Sequence, residues 1–224
     1  MSRNDTGAFA LIDVAQNATI ENLGVTNVSI QGGNTTAPVV LTLETGSLIR
    51  RVYATGTLQT FTAGGGIVST VNGGTIDESF TNVDITITGL APAGGIAADV
   101  TAGIIRNSYS MGFVDVATFG VGGFASSNAG TIEYSFSIGT IVDLGKGFLD
   151  SNAGTVTSNF YDSDTSGQTD TTGAQPRTTA QMQTLATFAG WDISTGTGTV
   201  WGIVDGSSYP YLNWEPPGGP GLRP

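Results

Sequence analysis

The sequence contains no histidine and no cysteine. The absence of histidine excludes a Ser-His-Asp triad, a histidine general base and imidazole ligands for a metal ion. The absence of cysteine excludes disulfide bonds, thiolate nucleophiles and zinc sites built on thiolates. An enzyme made from these residues would have to use carboxylates, tyrosine, lysine or arginine for its chemistry.

Charged residues are also scarce, at 11% of the 224 residues, and the basic ones are the scarcest. Seven Lys and Arg stand against 18 Asp and Glu, which gives a net charge of −11. A chain with so few cations has little with which to neutralise phosphates. The composition therefore argues against nucleic acid and an anionic membrane surface as partners. A net charge of this size instead favours solubility through mutual repulsion.

Long hydrophobic runs are missing as well. No segment reaches the roughly 18 consecutive apolar residues of a membrane-spanning helix, so the sequence predicts no membrane insertion. Residues 1–5 are polar, and the short apolar stretch that follows includes Asp13, which is not the composition of a signal peptide. We therefore expect either a fragment of an exported protein or export by another route.

The chain is dominated by a repeat in which a branched apolar residue is followed, four positions later, by an aromatic. The branched residues are Ile20, Ile49, Ile76, Ile105, Ile132 and Val156, at steps of 29, 27, 29, 27 and 24 residues. The aromatic positions hold Gly24, Tyr53, Phe80, Tyr109, Phe136 and Phe160. A fixed period of this length is typical of a solenoid, in which each repeat stacks only on its neighbours.

Each repeat also carries short alternating segments that predict strands. In one of them the turn Asn128-Ala129-Gly130 precedes Thr131–Phe136, which places Ile132, Tyr134 and Phe136 on one face. With two or three such strands per period and no helical pattern, the strands must stack in parallel from coil to coil. The sequence therefore predicts an all-β parallel β-solenoid of about six coils over residues 7–162, with interior ladders of branched and aromatic residues.

The pattern stops after Phe160, and residues 163–214 predict a C-terminal capping region. Thr178 or Thr179 is a candidate N-cap for one short helix that ends near Gly190. We expect the aromatic residues after it to cover the open end of the last coil. They are Trp191, Trp201, Tyr209, Tyr211 and Trp214. The Pro- and Gly-rich residues 215–224 predict a linker or disordered tail.

The first coil has no comparable cover at its N-terminal side. An uncovered coil would leave strand edges and the end of an apolar core in water, which natural solenoids avoid. We therefore expect Ala8 to Val14 to contact other coils, a second copy or another subunit of a filament or virion.

Three stretches at equivalent places carry a double glycine followed by apolar residues. They are Gly65-Gly66-Ile67-Val68, Gly94-Gly95-Ile96-Ala97 and Gly122-Gly123-Phe124-Ala125. With the Gly-Thr-Ile turn, the aromatic and the closing Phe160-Tyr161-Asp162 and Tyr209–Trp214 motifs, residues 7–214 resemble the GLUG-type repeat region of filamentous-haemagglutinin-like bacterial surface adhesins. The first repeat departs from the pattern at Gly24, and the second lacks the double glycine. The resemblance implies a role in surface attachment and transfers no active site.

One segment has part of a calcium-binding pattern. Asp162, Asp164 and Ser166 alternate before Gly167, as in the first half of a Ca²⁺ loop, and Asp170 could add a ligand. The twelfth position, where such a loop needs a bidentate Glu, is Gly173. The sequence thus leaves two alternatives for this segment, a Ca²⁺ site or a polar turn that leaves the solenoid.

Paired carboxylates are the other candidate chemistry, because two of them at the right separation can hydrolyse a glycan. The carboxylates within the repeats are Asp77, Glu78, Asp84, Asp99, Asp115, Glu133 and Asp143. Acidic residues on a solenoid face also serve solvation and deter edge-to-edge aggregation. Aligned outward Thr side chains could in principle match ice, but Leu48 and Ile104 interrupt the column, and β-propensity explains such Thr residues.

The function that these observations favour is a non-enzymatic structural or adhesive repeat domain of a bacterial surface or secreted protein, or of a phage particle. It would present or space a binding function, with glycans or other cell-surface ligands as partners. No cofactor is expected apart from the candidate Ca²⁺. The alternative is a carbohydrate-active β-helix enzyme, tailspike- or lyase-like, that uses carboxylates from adjacent coils.

Overall fold

Short parallel strands stack coil upon coil in the computed structural model, which describes residues 2–4, 7–116, 120–142 and 145–224. The predicted all-β parallel β-solenoid is confirmed, with about five turns instead of about six. The count differs because the six branched residues delimit five intervals, and the chain leaves the solenoid soon after the sixth, Val156.

The solenoid wall is one large sheet whose strands pair in parallel with the strands one coil away. Within the described ranges its seventeen strands are Ser2–Asn4, Ile12–Ala15, Thr19–Gln31, Val40–Glu44, Leu48–Thr60, Val68–Asp77, Phe80–Ile87, Ala97–Arg106, Tyr109–Ser110, Val114–Val116, Ala125–Asn128, Thr131–Glu133, Phe136–Ser137, Leu149–Asn152, Thr155–Thr157, Phe160–Asp162 and Gln175–Arg177.

A second, smaller parallel sheet contains the first glycine of each glycine pair of the repeats. Its described strands are Gly64–Gly65, Ala93–Gly94 and Val121–Gly122. A Cβ at Gly66 would clash with the carbonyl oxygen of Gly95, one coil away. The double glycine is therefore needed because two backbone segments approach each other closely at this corner.

The branched residues stack in register inside the solenoid, as predicted. Each pairs with its equivalent in the next coil, from Ile20 through to Val156. The four central ones, Ile49, Ile76, Ile105 and Ile132, are fully buried, whereas the two end members are half-buried. A branched residue of this column is thus fully buried only when a neighbouring coil stacks on each side of it.

Two residues after each branched residue, the backbone turns a corner in the left-handed region. The corner residues are Asn22, Arg51, Glu78, Asn107, Tyr134 and Ser158, all with φ between 45° and 55°. In an uninterrupted strand a residue and the fourth one after it share a face. The left-handed residue between them breaks that alternation, so the aromatic lies on the other side of the wall from the branched residue.

The aromatic residues therefore form a ladder outside the solenoid core, which corrects the predicted interior position. Tyr53, Phe80, Tyr109 and Phe136 are stacked with ring centroids 5.0–5.1 Å apart and nearly parallel planes. They belong to a second hydrophobic cluster, separate from the cluster of the branched residues. The ladder ends at Tyr53 because its ring occupies the space that a side chain at Gly24 would need.

Residues 163–177 cover the end of the last coil. The helix Ser163–Ser166 leads away from the wall, and Gln175–Arg177 returns to pair with Phe160–Asp162 as a further parallel strand. Ala174 joins the solenoid core, and the guanidinium of Arg177 lies 5.2 Å from the centre of the Phe160 ring. This short segment, and not the tryptophans, closes the C-terminal end of the core.

The predicted helix is divided in two. Thr178 is its N-cap, as predicted, and forms a capping box with Gln181 at the start of the helix Thr179–Met182. Thr184 has an extended backbone, and a 3₁₀ helix, Leu185–Phe188, follows. Leu185 donates its N–H to Asp205, which takes the place of an intrahelical acceptor. Of the helices in the described ranges, none has the length and apolar character required to cross a membrane.

Residues 185–223, here called the C-terminal strap, run back along the side of the solenoid over the aromatic ladder. Trp191 contacts Phe160 and Phe136, Trp201 contacts Phe136 and Tyr109, and Trp214 contacts Phe80 and Tyr53. The prediction that these tryptophans cover the end of the solenoid is wrong, because the ladder they bury lies on its flank. A small sheet of Ile193–Ser194, Trp201–Gly202 and Tyr211–Leu212 holds the strap together.

The predicted linker or disordered tail, residues 215–224, is also corrected. Glu215 is 1% exposed, and its Oε2 accepts hydrogen bonds from the N–H groups of Leu222 and Arg223. The Arg223 guanidinium in turn donates to the carbonyls of Asn213 and Glu215. The Pro- and Gly-rich sequence forms turns that wrap around one buried carboxylate.

Candidate functional site

The residue after each branched position forms a column of alternating charge on the outside of the wall. Strand register places Glu21, Arg50, Asp77, Arg106 and Glu133 side by side in that order. Adjacent strands lie about 4.8 Å apart, so each charge has opposite charges as neighbours. No single repeat of the sequence reveals this column, because the partners are separated by 27 or 29 residues. The signal in the sequence is the alternation of sign at one fixed repeat position.

Ion pairs hold the arginines of this column and of the neighbouring corner. Glu78 binds Arg50 at 2.8 Å and Arg51 at 2.9 Å, and Asp77 binds Arg106 at 3.0 Å. The hydrogen bond with Glu78 raises the pKa of Arg50, and the hydrogen bond with Asp77 raises the pKa of Arg106. The carboxylates are nearly buried while the guanidinium groups remain partly exposed, so the cations are fixed in position yet accessible.

A buried polar ladder supports the corner from inside. The N–H groups of Ser79 and Ser108 donate to the hydroxyl of the equivalent serine in the next coil, and Ser135 donates to the side chain of Asn159. Each of the three serine hydroxyls donates to the carbonyl two residues before it. Every polar group of the ladder is thus paired, which keeps the corner residues in one conformation.

A groove separates this charged corner from the C-terminal strap. Its first part has a volume of about 420 Å³. Arg50, Arg51 and Glu78 form one wall, and the other comes from strap residues that include Asp192 and Trp214. The indole of Trp214 donates to the carbonyl of Glu78 at 2.9 Å, so the tryptophan is fixed against the corner while part of it faces the groove.

The second part of the groove continues along the same corner, with a volume of about 350 Å³. Arg106, Glu133 and Tyr134 line it from the solenoid, and Asp192 and Val200 are shared with the first part. Asp192 accepts the N–H of Val200, which closes the loop between them. The two parts share Asp192 and Val200 and lie one after the other along the corner, from Arg50 to Tyr134.

Of the six described carboxylates that the sequence suggested for catalysis, four are bound to arginines or accept hydrogen bonds from the protein. Asp77 and Glu78 are bound to arginines. Asp84 accepts the N–H of Phe113, and Asp99 accepts the hydroxyl of Ser127. Asp115 lies in the strand Val114–Val116, and Glu133 lines the groove. Asp143 lies outside the described residues.

The candidate calcium ligands mostly accept hydrogen bonds from the protein. Oδ1 of Asp162 caps the helix Ser163–Ser166, and its Oδ2 accepts the hydroxyls of Thr179 and Tyr209. Asp164 accepts the N–H of Thr179, and Asp170 accepts those of Gly147 and Thr172. In the described part of the chain, three or more acidic side chains nowhere meet as a metal site. Calcium at Asp162, Asp164, Ser166 and Asp170 stays a prediction.

Comparison with known proteins gives a partial likeness. No family model matches the chain. A protein of Evansella cellulosilytica named "Putative Gly-rich membrane protein" is 35% identical over 130 residues, which cover 52% of this chain. The matched region is only 14% of that protein, so the chain corresponds to a small part of a much longer relative.

Proposed function

We propose that this chain is a non-enzymatic β-solenoid segment of a bacterial surface or secreted protein, or of a virion, which holds a polar binding groove at a fixed position on a rigid rod. The observation that carries the proposal is the pairing of Asp77 and Glu78 with three arginines. Glycoside hydrolysis needs two carboxyl groups available to the scissile bond. Here the most enclosed carboxylates of the corner serve to position cations.

The stacked ladders support the mechanical side of the proposal. Branched, serine and aromatic columns run through successive coils, and the strap fastens the aromatic column from outside. A solenoid of this kind acts as a spacer because each coil is held by both neighbours. The long relative, with this region as a small part, is consistent with a segment of a large surface protein.

The N-terminal edge is the proposed contact with a further coil. Leu11, Ile12 and Val14 are 50%, 37% and 58% exposed, which is unusual for apolar residues of a strand edge. Glu21 ends the alternating charge column at the same edge. We propose that a coil with an apolar residue opposite Ile20 and a cation opposite Glu21 covers this surface.

Incubation of the full chain with polysaccharides and assay of released reducing ends tests the non-enzymatic proposal. We expect no release above a blank. Hydrolysis that disappears in Glu78→Gln or Glu133→Gln would overturn the proposal in favour of a carbohydrate-active enzyme.

A further inference from the structure

We infer that the groove between the charged corner and the C-terminal strap binds a neutral, linear oligosaccharide. The inference rests on the proposed function, since it names the ligand class that the rod would present. The observations that carry it are the charge balance of the groove, its free hydrogen-bond donors, its aromatic residues and its length.

The charge balance decides against strongly charged ligands. In the part of the chain that the structure describes, the lining contains three arginines and three carboxylates: Arg50, Arg51, Arg106, Glu78, Glu133 and Asp192. A polyanion would be attracted by the arginines but repelled by the carboxylates, and a polycation would meet the reverse. The net charge of −11 disfavours anions further. A hydroxyl both donates and accepts, so a sugar can use both kinds of side chain.

Donors remain available in the groove wall. Within the described residues, Arg51 uses only Nε, in its bond to Glu78, which leaves both terminal nitrogens free. Arg50 uses Nε and one terminal nitrogen, both toward Oε1 of Glu78. Since the ion pairs fix these guanidinium groups, little side-chain entropy is lost when they bind a ligand.

Each part of the groove is lined by one aromatic residue. Trp214 lines the first part and Tyr134 the second, and both are half-buried. An amphipathic ring offers an apolar face for the C–H groups of a sugar while the hydroxyls bond to polar neighbours. From Arg51 to Tyr134 the corner spans three coil steps, about 14 Å at the usual strand separation, which suits an extended ligand of several units.

The test is calorimetric titration of the full chain with neutral linear tetrasaccharides of glucose, mannose, galactose and N-acetylglucosamine. Arg51→Asn and Tyr134→Asn are the disrupting variants. They preserve the corner because Asn22 and Asn107 already occupy the same left-handed position in other coils. Ser158→Asn is the matched control, since it makes the same replacement in the same row but lies outside the groove.

We expect one of the neutral tetrasaccharides to bind the parent chain and Ser158→Asn equally. Arg51→Asn should weaken binding roughly ten- to a hundredfold, the effect of losing a hydrogen bond from a charged donor. Unchanged melting temperatures would show that all variants are folded. Binding restricted to uronate or sulfated oligosaccharides, no binding, or equal binding by every variant would each overturn the inference.

These results are distinguishable from a failure of the proposed function. A tetrasaccharide that binds and is then cleaved refutes the non-enzymatic rod but leaves the groove as its binding site. A folded chain that neither binds nor cleaves refutes the assignment of a neutral oligosaccharide to the groove and leaves the non-enzymatic rod proposal intact.

Discussion

The phenol of Tyr109 donates a 2.9 Å hydrogen bond to Oε1 of Glu215, 106 residues away in the chain. Both side chains are buried, and Oε1 also accepts the N–H of Leu212. Burial raises the pKa of Glu215, and burial together with the Glu215 charge raises the pKa of Tyr109 well above its usual value. This pair fastens the end of the strap to the middle of the aromatic ladder.

Replacement of Glu215 by Ala should release the strap. The change removes the acceptor of the Tyr109 hydroxyl and of the N–H groups of Leu212 and Arg223, while the Leu222 N–H keeps only its bond to the Tyr109 hydroxyl. We expect a loss of about 3 kcal/mol in the free energy of unfolding. Urea unfolding followed by tryptophan fluorescence measures it, since all three tryptophans lie in the strap. Glu21→Ala, at an exposed site, should cost little; equal effects of the two substitutions would contradict this role of Glu215.

Alkaline pH should destabilise the fold. Burial raises the pKa of both Tyr109 and Tyr161 in the folded state, while an unfolded tyrosine titrates near pH 10. Above about pH 10 the unfolded chain binds fewer protons than the folded one, so stability falls as pH rises, by about 1.4 kcal/mol per pH unit for each tyrosine. Urea unfolding at several alkaline pH values measures this slope. In the Tyr161→Phe variant the slope should be smaller by the contribution of one tyrosine. An unchanged slope in that variant would show that Tyr161 does not contribute.

The aromatic ladder makes a strong prediction about stability. Phe136 is fully buried between Tyr109 and the strap, so Phe136→Ala should cost about 3–5 kcal/mol. Phe61 is 61% exposed and provides the matched control, for which we expect almost no change. Thermal unfolding of the two variants compares them, and similar melting temperatures would refute the assignment of Phe136 to a core.

Removal of a hydroxyl from the serine ladder should lower the free energy of unfolding although no apolar group is removed from the core. Ser108→Ala removes the acceptor of the Ser79 N–H, which is buried, and the expected loss is about 1–3 kcal/mol. Ser207→Ala, at an exposed position, should be neutral. Chemical denaturation of both variants is the measurement, and a neutral Ser108→Ala would mean that the ladder contributes nothing.

Hydrogen exchange should show that the rod frays from its N-terminal side. The first coil has half-buried and exposed residues where the central coils are closed, so its amides should exchange fastest. Those between Ile105 and Phe136 should exchange slowest. Uniform protection from Ala8 onward in a monomer would contradict this gradient and the proposed contact with a further coil.

The sequence predicted the stacking of the branched residues because their spacing alone determines that Ile49, Ile76 and Ile105 meet in register. It misplaced the aromatic ladder because spacing does not report a left-handed residue. Asn107 is compatible with that conformation, but Glu78 and Tyr134 give no sign of it. An aromatic ladder in the interior would leave no apolar flank for the tryptophans to cover. The sequence therefore predicts an end cap where the structure has the strap.

The groove was missed for a related reason. The sequence places Trp214 in the C-terminal region. Its position beside Arg51 depends on the path of the strap along the solenoid, and no local sequence pattern encodes that path. Each acidic residue looks isolated in the sequence, because its arginine partner lies one coil away. The alternation of charge is visible only when the residues at the same position of successive repeats are compared.

The alternating charge column restricts how many coils such a rod can gain or lose. Ile20 to Ile76, Ile49 to Ile105 and Ile76 to Ile132 are each 56 residues apart, so the coil length and the sign of the charge recur together at every second coil between Ile20 and Ile132. Loss of a single coil would bring Arg50 against Arg106 or Asp77 against Glu133, with like charges directly opposite. Gain or loss of two coils preserves every pair. A doublet of coils is therefore the smallest unit that this rod can gain or lose while every charge of the column still faces an opposite charge.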